Sequence, residues 1–153
     1  TFCYQYNKKL MVRVVIARIF NTYGVGMDEN DGRLLTNLLR SIKENKPFEI
    51  YGDGTQTRSL CYIDDTVAGL IRLMKKGKSG EAYNLGNPDE KTILEIVKST
   101  FRILGKKVPI IFTKLPENDP LKRCPDIDKI RRLGWSPKIP FEEGIKKMWE
   151  KYE

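Results

Sequence analysis

A nearly unbroken run of apolar side chains spans residues 12–20, with the sequence VRVVIARIF. Most of these residues are β-branched, and they follow one another instead of alternating with polar residues. This pattern predicts a strand that is buried on both faces, as in a parallel sheet. Arg18 interrupts the run, and we expect a partner for its guanidinium because an unpaired buried charge is costly.

Helical spacing of apolar residues predicts five helices in the rest of the chain. They are expected after Asn30 or Asp31, after Asp64 or Asp65, at 92–105, at 126–133 and from Pro140 onward. Asparagine and aspartate favour the cap position of a helix, and Thr92 with Glu95 has the spacing of a capping box. The second helix is expected to carry Val67, Leu70, Ile71 and Met74 on one face.

Short extended segments separate these helices. Strands are predicted at 48–51, 58–62, 82–85 and 108–112, whereas 21–26 (NTYGVG) reads as a turn. Alternation of strands and helices with short connections predicts an α/β fold.

Composition limits the class of protein. The chain has 153 residues, enough for one domain with a sizeable core, and no apolar run reaches the roughly 20 residues of a membrane span. It contains no histidine, which excludes Ser-His-Asp and Cys-His nucleophile systems within the chain. Three unpaired-looking cysteines indicate a reducing compartment with buried or inert thiols, so we expect a cytoplasmic protein without a metal site.

The formal net charge of +8 raises the question of nucleic-acid binding. Basic residues are interleaved with acidic ones, as where Lys146 and Lys147 follow Glu142 and Glu143, and no strip combines basic with aromatic residues. A solvated surface explains this charge better, so no nucleic-acid partner is expected.

Polar residues at predicted strand ends suggest a ligand site. Asn21, Tyr51, Arg58 and Asn84 occupy such positions, and Arg33 lies at a predicted helix start. Open α/β sheets bind ligands at the carboxyl ends of their strands, and arginine suits phosphate oxygens. The alternative is that Arg33 and Arg58 form surface salt bridges and Tyr51 is a packing residue. No glycine-rich phosphate loop is present, since Gly24-Val25-Gly26 lacks a third glycine.

Several segments resemble extended short-chain dehydrogenases/reductases that act on nucleotide sugars, most of all UDP-glucuronate decarboxylases. These segments are ARIFNTYG (17–24), NDGR (30–33), EIYGDGTQTRSLCYIDD (49–65), YNLGNPDEKTILEIV (83–97) and DPLKRCPDIDKIRRLGWSPKIPFEEGI (119–145). Within the family, GNPDEKTILE and KRCPDI favour the decarboxylases over dTDP-glucose 4,6-dehydratases and UDP-glucose 4-epimerases.

The resemblance implies the C-terminal part of a larger enzyme. The family joins an NAD-binding Rossmann domain to a small substrate-binding domain, and residues 1–153 correspond to the end of the former interwoven with the latter. The glycine fingerprint and the catalytic Tyr-x-x-x-Lys pair would precede Thr1, so the first residues continue the helix of that lysine. We therefore expect no catalytic residue in this chain, and no activity from it alone.

The resemblance also assigns substrate contacts. It places Asn21, Arg33, Leu34, Glu49, Ile50, Tyr51, Arg58, Asn84 and Arg123 around the UDP-sugar. Arg58 and Arg123 would contact the diphosphate, Glu49-Ile50-Tyr51 the uracil, and Arg123 is a possible auxiliary to catalysis. Arg33 could instead face the cofactor.

For the whole enzyme the resemblance implies conversion of UDP-glucuronate to UDP-xylose and CO2, with NAD as cofactor and a homodimer as the assembly. A different reading is a non-catalytic binding module, or a split subunit that needs a separate Rossmann partner. Without strands beside it, the run at 12–20 would expose an apolar edge. We therefore expect that the isolated chain aggregates, self-associates through this strand, or was trimmed from an enzyme that had already folded.

Overall fold

Pairs of short strands, most of them parallel, connect distant parts of the chain. The computed structural model describes residues 2–117 and 119–152. Its helices are α1 Phe2–Leu10, α2 Leu34–Lys43, α3 Ile63–Lys76, α4 Ile93–Leu104, α5 Asp128–Arg131 and α6 Phe141–Trp149. Its strands are β1 Ile16–Ile19, β2 Thr22–Tyr23, β3 Phe48–Tyr51, β4 Thr57–Ser59, β5 Cys61–Tyr62, β6 Ala82–Leu85, β7 Glu90–Thr92 and β8 Ile110–Thr113. The α/β class is confirmed.

The strand pairs fix the topology within the described residues. β1 pairs with β6, β2 with β5 and β3 with β8, all in parallel, while β4 pairs with β7 in antiparallel. β2 corrects the predicted turn at 21–26, because Thr22 and Tyr23 pair with Cys61 and Tyr62. The predicted extended segment at 58–62 is divided between β4 and β5, which belong to different pairs.

The predicted buried strand at 12–20 is shorter and more exposed than expected. β1 begins only at Ile16, and its last two residues, Arg18 and Ile19, are exposed. The expectation of burial on both faces was wrong, because no residue of β1 is fully buried: Ile16 and Ala17 are partly exposed, and Arg18 and Ile19 are exposed. Arg18 needs no buried partner, since its guanidinium reaches solvent.

Helix positions were predicted well, and their caps less so. α2 begins after Arg33, not after Asn30 or Asp31, although the Asp31 carboxylate accepts the Arg33 N–H at 3.0 Å. α3 begins at Ile63, so Asp64 and Asp65 lie in its first turn and do not cap it. The capping box of Thr92 and Glu95 is confirmed at the start of α4.

The apolar face predicted for the helix at 64–77 is not its buried face. Val67, Ile71 and Met74 are exposed, whereas Asp65, Thr66, Gly69 and Leu73 are buried. The reason is steric: Gly69 packs so closely on Leu85 and Trp135 that a Cβ there would lie 2.2 Å from Leu85 Cδ1. Because α3 approaches β6 so closely, the side of the helix that carries Gly69 faces the core.

Two apolar clusters form the core, and the chain alternates between them. One cluster gathers side chains of α2, β3, α4 and α6, including Leu38, Ile50, Val97 and Ile145. The other gathers α3, β6, α5 and Trp135. This alternation agrees with two interwoven parts, although the division into a Rossmann part and a substrate part stays a prediction.

No helix in residues 2–117 and 119–152 is both long and apolar enough to cross a bilayer.

Asp65 joins the two clusters. Its side chain is buried, and its Oδ2 accepts the backbone N–H groups of Lys138 and Ile139, both at 2.9 Å. Its backbone carbonyl accepts the indole N–H of Trp135 at 3.1 Å. α3 is thereby tied to the segment that leads into α6.

Replacing Asp65 with alanine is expected to lower the free energy of unfolding by about 2–4 kcal/mol, because two partly buried N–H groups lose the acceptor that a buried carboxylate provides. Urea unfolding followed by tryptophan fluorescence measures this change. The matched control is Asp64→Ala, an exposed neighbour in the same turn, for which a loss of at most about 1 kcal/mol is expected. Equal losses in the two variants would contradict the assigned role of Asp65.

The exposed end of β1 makes the expected self-association testable. Ile19 is 53% exposed on a strand with one free edge among the described residues. Ile19→Lys should reduce self-association of the 153-residue chain in sedimentation velocity, since a charged side chain on an edge disfavours strand pairing. Ile111→Lys, an exposed isoleucine on β8, is the control and should change it less. A wild-type chain that is monomeric at all concentrations would refute the expectation.

Candidate functional site

A cleft of about 1000 Å³ opens beside the ends of β1 and β3 and the start of α2. It brings together all but one of the predicted substrate-binding residues. Its lining includes Asn21, Arg33, Leu34, Glu49, Ile50, Tyr51, Arg58 and Arg123. These residues are far apart in the sequence, so the cleft is a product of the tertiary fold.

β3 supplies one wall of the cleft. Its side chains alternate, so that Ile50 is buried while Glu49 and Tyr51 are exposed. Tyr51 keeps about half of its surface open to solvent (50%), which leaves a flat aromatic face beside the cleft. The buried Gln56 side chain donates to the Tyr51 carbonyl at 2.5 Å and so fixes the end of the strand.

The glycine-containing loop after β3 is held in a compact turn. Gly54 has a φ of 79°, and a Cβ there would lie 3.3 Å from Leu94 Cβ. The Asp53 carboxylate accepts the hydroxyl and N–H of Thr55, and these hydrogen bonds hold the pKa of Asp53 below its usual value. The loop thus brings the chain from Tyr51 back to Arg58 with little freedom.

α2 contributes a row of polar side chains to the cleft. Arg33 lies directly before the helix, as predicted, and forms an ion pair with Asp31 at 3.5 Å. Asn37 and Arg40 also line the cleft, and Arg40 donates to Asn37 and Asn30. Sequence reasoning missed these two residues, although the spacing 33, 37, 40 places them on one face of a helix and could have revealed them.

Arg58 is already engaged within the protein. Its Nη2 donates to both carboxylate oxygens of Asp119 at 2.9 Å, and its Nη1 donates to the carbonyls of Thr57 and Pro120. The salt-bridge alternative considered for this arginine is therefore realised in the structure. Asp119 also lines the cleft and was not predicted as a site residue.

Arg123 presents a different situation. Its side chain is exposed at the cleft, and its guanidinium has no hydrogen bond or ion pair within residues 2–117 and 119–152. Its position is set by the backbone, since the Ser59 hydroxyl donates to the Arg123 carbonyl at 3.2 Å. An arginine held at a cleft in this way is available to an anionic ligand.

Asn84 is the predicted contact that the cleft does not include. It lies in β6, and its side-chain amide donates to the Asp126 carbonyl at 2.9 Å. That bond ties β6 to the start of α5, a structural role within the second apolar cluster. A ligand contact for Asn84 stays a prediction that this cleft does not support.

Neither Tyr23 in the cleft nor Cys61 near it supplies an ionised nucleophile or base near pH 7. Burial raises the pKa of the Tyr23 hydroxyl, and it raises the pKa of the nearby Cys61 thiol to about 11. Both groups are therefore neutral around pH 7.

Cys61 is buried, as predicted, and Cys124 is partly buried, while the side chain of Cys3 lies outside what the structure describes. No cluster of metal-ligating side chains occurs in the described part of the chain.

The residues of this chain do not fit the pyrophosphate of NAD. A dinucleotide needs a glycine-rich turn that opens directly into a helix N-terminus. Gly24 and Gly26 have the backbone freedom of such a turn, but the next helix begins only at Leu34. No step that involves the cofactor can be assigned to these side chains.

Comparison with known proteins identifies the class. Residues 1–86 match the NAD dependent epimerase/dehydratase family. This match covers more than half of the chain, and the chain belongs to that family.

Among curated proteins, the chain is similar to UDP-glucuronic acid decarboxylases. The chain is 42% identical over 148 residues to UDP-glucuronic acid decarboxylase 1 of Danio rerio, which covers 96% of this chain and 35% of the relative. It is 37% identical over 153 residues to UDP-glucuronic acid decarboxylase 3 of Arabidopsis thaliana, which covers 99% of this chain and 44% of the relative. The chain thus spans less than half the length of these relatives.

Solved structures share the fold. UDP-glucuronic acid 4-epimerase from Bacillus cereus, in complex with UDP-glucuronic acid and NAD, has a TM-score of 0.89 and 31% identity over 98% of this chain and 48% of its own. UDP-glucose 4-epimerase from Thermotoga maritima, with UDP-glucose, has a TM-score of 0.90 and 26% identity over 96% of this chain and 48% of its own.

Proposed function

We propose that this chain forms the nucleotide-sugar-binding part of an NAD-dependent UDP-glucuronate decarboxylase. The observation that carries the proposal is the cleft, where Tyr51, Arg58 and Arg123 meet although the sequence separates them. The decarboxylase relatives in fish and plants support the choice of reaction, which converts UDP-glucuronate to UDP-xylose and CO2.

Different residues of the cleft would contact different parts of the nucleotide sugar. Tyr51 offers a flat face for the uracil, with Glu49 and Ile50 beside it, and Asn21 and Leu34 line the same space. Arg33, Arg58 and Arg123 would offset the charge of the diphosphate, since a guanidinium fork binds two phosphate oxygens at once. Their contribution to the reaction would be orientation of the sugar, and the family resemblance makes Arg123 the candidate auxiliary to catalysis.

The whole enzyme would need residues beyond those of this chain. NAD chemistry and the acid–base pair of the family have no counterpart in the cleft, whose tyrosine at position 23 stays protonated. We infer a homodimer and a cytoplasmic location for the whole protein from the family resemblance and the sparse, unpaired cysteines. A split subunit that binds the nucleotide sugar without its own cofactor remains the alternative organisation.

UDP is expected to bind the 153-residue chain more tightly than uridine, because the diphosphate meets the cleft arginines. Arg123→Ala should weaken UDP binding about tenfold, as expected for loss of one charge-assisted contact, and leave uridine binding almost unchanged. Isothermal titration calorimetry measures both ligands.

The control for this variant is Arg131→Ala. Arg131 is exposed on α5, forms an ion pair with Asp128, and lies outside the cleft. The Arg131→Ala variant removes the same charge from the protein. It therefore distinguishes the loss of a contact in the cleft from a change in the overall charge. Equal weakening by both variants, or no binding of UDP by the wild type, would refute the proposed site.

The 153-residue chain alone should not turn over UDP-glucuronate in the presence of NAD. Among the residues that the structure describes, no cofactor loop lines the cleft, and its lining contains no lysine to complete the tyrosine–lysine pair of the family. Chromatography of the nucleotide-sugar products detects UDP-xylose, and the decarboxylase from Danio rerio serves as the positive control. Formation of UDP-xylose by this chain would contradict the expectation, and formation of a C4 epimer would favour a 4-epimerase.

A further inference from the structure

The ion pair between Arg58 and Asp119 occupies the place where an anionic ligand would bind. Both side chains line the cleft, and both are largely shielded from solvent, with 13% of Arg58 and 30% of Asp119 exposed. Both Asp119 oxygens accept from the Arg58 Nη2 at 2.9 Å. A carboxylate presents two oxygens to a guanidinium much as a phosphate does.

Arg58 does not depend on Asp119 for its position. Its Nη1 donates to the carbonyls of Thr57 at 2.8 Å and Pro120 at 2.7 Å. Backbone carbonyls cannot be displaced by a small ligand without moving the chain. The guanidinium would therefore stay in place if the carboxylate left, with its Nη2 donors turned toward the cleft.

The segment that carries Asp119 is attached independently of the ion pair. We call residues 119–123 the strap. The Thr57 N–H donates to the Leu121 carbonyl at 2.8 Å, and Lys122 forms an ion pair with Glu90 at 3.2 Å. The Ser59 hydroxyl holds the Arg123 carbonyl. Release of the Asp119 side chain thus need not release the strap.

Charge around the cleft favours such an exchange. Four arginines line it, at positions 33, 40, 58 and 123, against two carboxylates, Glu49 and Asp119. Asp119 is the carboxylate that directly contacts one of these arginines. A diphosphate carries more negative charge than one carboxylate, so it gains more from the same guanidinium.

We propose that Asp119 is an internal competitor of the ligand: its carboxylate holds the Nη2 donors of Arg58, and a nucleoside diphosphate displaces it on binding. This inference rests on the proposed nucleotide-sugar site. It makes Asp119 a residue that sets diphosphate affinity through Arg58. The cost of the exchange is the ion pair, so ligand affinity is lower than the cleft would otherwise give.

Asp119→Asn tests the competition with UDP as the ligand. Removal of the charge should tighten UDP binding about two- to fivefold, the factor expected when a single, partly shielded ion pair no longer competes, and should leave uridine binding unchanged. Asp119→Glu keeps the charge and should bind UDP as the wild type does. Calorimetry gives the affinities, and circular dichroism with urea unfolding verifies the fold of each variant.

Asp128→Asn is the matched control. Asp128 also pairs with an arginine, Arg131, at 3.1 Å, but it lies outside the cleft. Its loss should leave UDP affinity within error of the wild type. Equal tightening by both variants would mean that overall charge, not competition at Arg58, sets the affinity.

The remaining outcomes separate the two proposals. If the wild type binds UDP and Asp119→Asn binds it equally or more weakly, the competition is refuted while the nucleotide site stands. Tightening of uridine together with UDP would point to a structural effect and refute it as well. If neither protein binds UDP, the proposed function fails and the inference with it. Binding by Asp119→Asn alone would refute both, since the proposed site requires that the wild type binds UDP.

Discussion

The buried carboxylate of Asp65 holds together the two apolar clusters around which the chain folds. It lies in the first turn of α3, which packs on β6, and accepts two backbone N–H groups from the segment that enters α6. Both walls of the cleft depend on this arrangement, since β3 and α2 pack in one cluster and β1 pairs into the other.

Electrostatics in the cleft reflect the cost of holding several arginines close together. Arg33 and Arg58 pair with Asp31 and Asp119, and Arg40 donates to two asparagine side chains. These partners lower the repulsion between the guanidinium groups when no ligand is bound. If the cleft binds a diphosphate as proposed, the Arg58–Asp119 pair would stabilise the protein without ligand and would lower its affinity for the ligand.

The chain belongs to the NAD dependent epimerase/dehydratase family and spans less than half of the length of its decarboxylase relatives. In the proposed enzyme, this chain would supply the cleft that binds the substrate. Under this proposal, substrate binding and redox chemistry would be carried by different parts of the sequence.

The sequence by itself determined the α/β class, the positions of most helices and the residue types of the site. Periodicity and capping act between near neighbours, so the capping box at Thr92 and the alternation in β3 were predictable. Only the tertiary structure decided that α3 buries its glycine side, that β1 is covered on one edge, and that Asn84 turns away from the cleft. It also decided the Arg58–Asp119 pair, whose members lie 61 positions apart. Such contacts depend on how closely distant elements can approach, and sequence spacing carries no record of that distance.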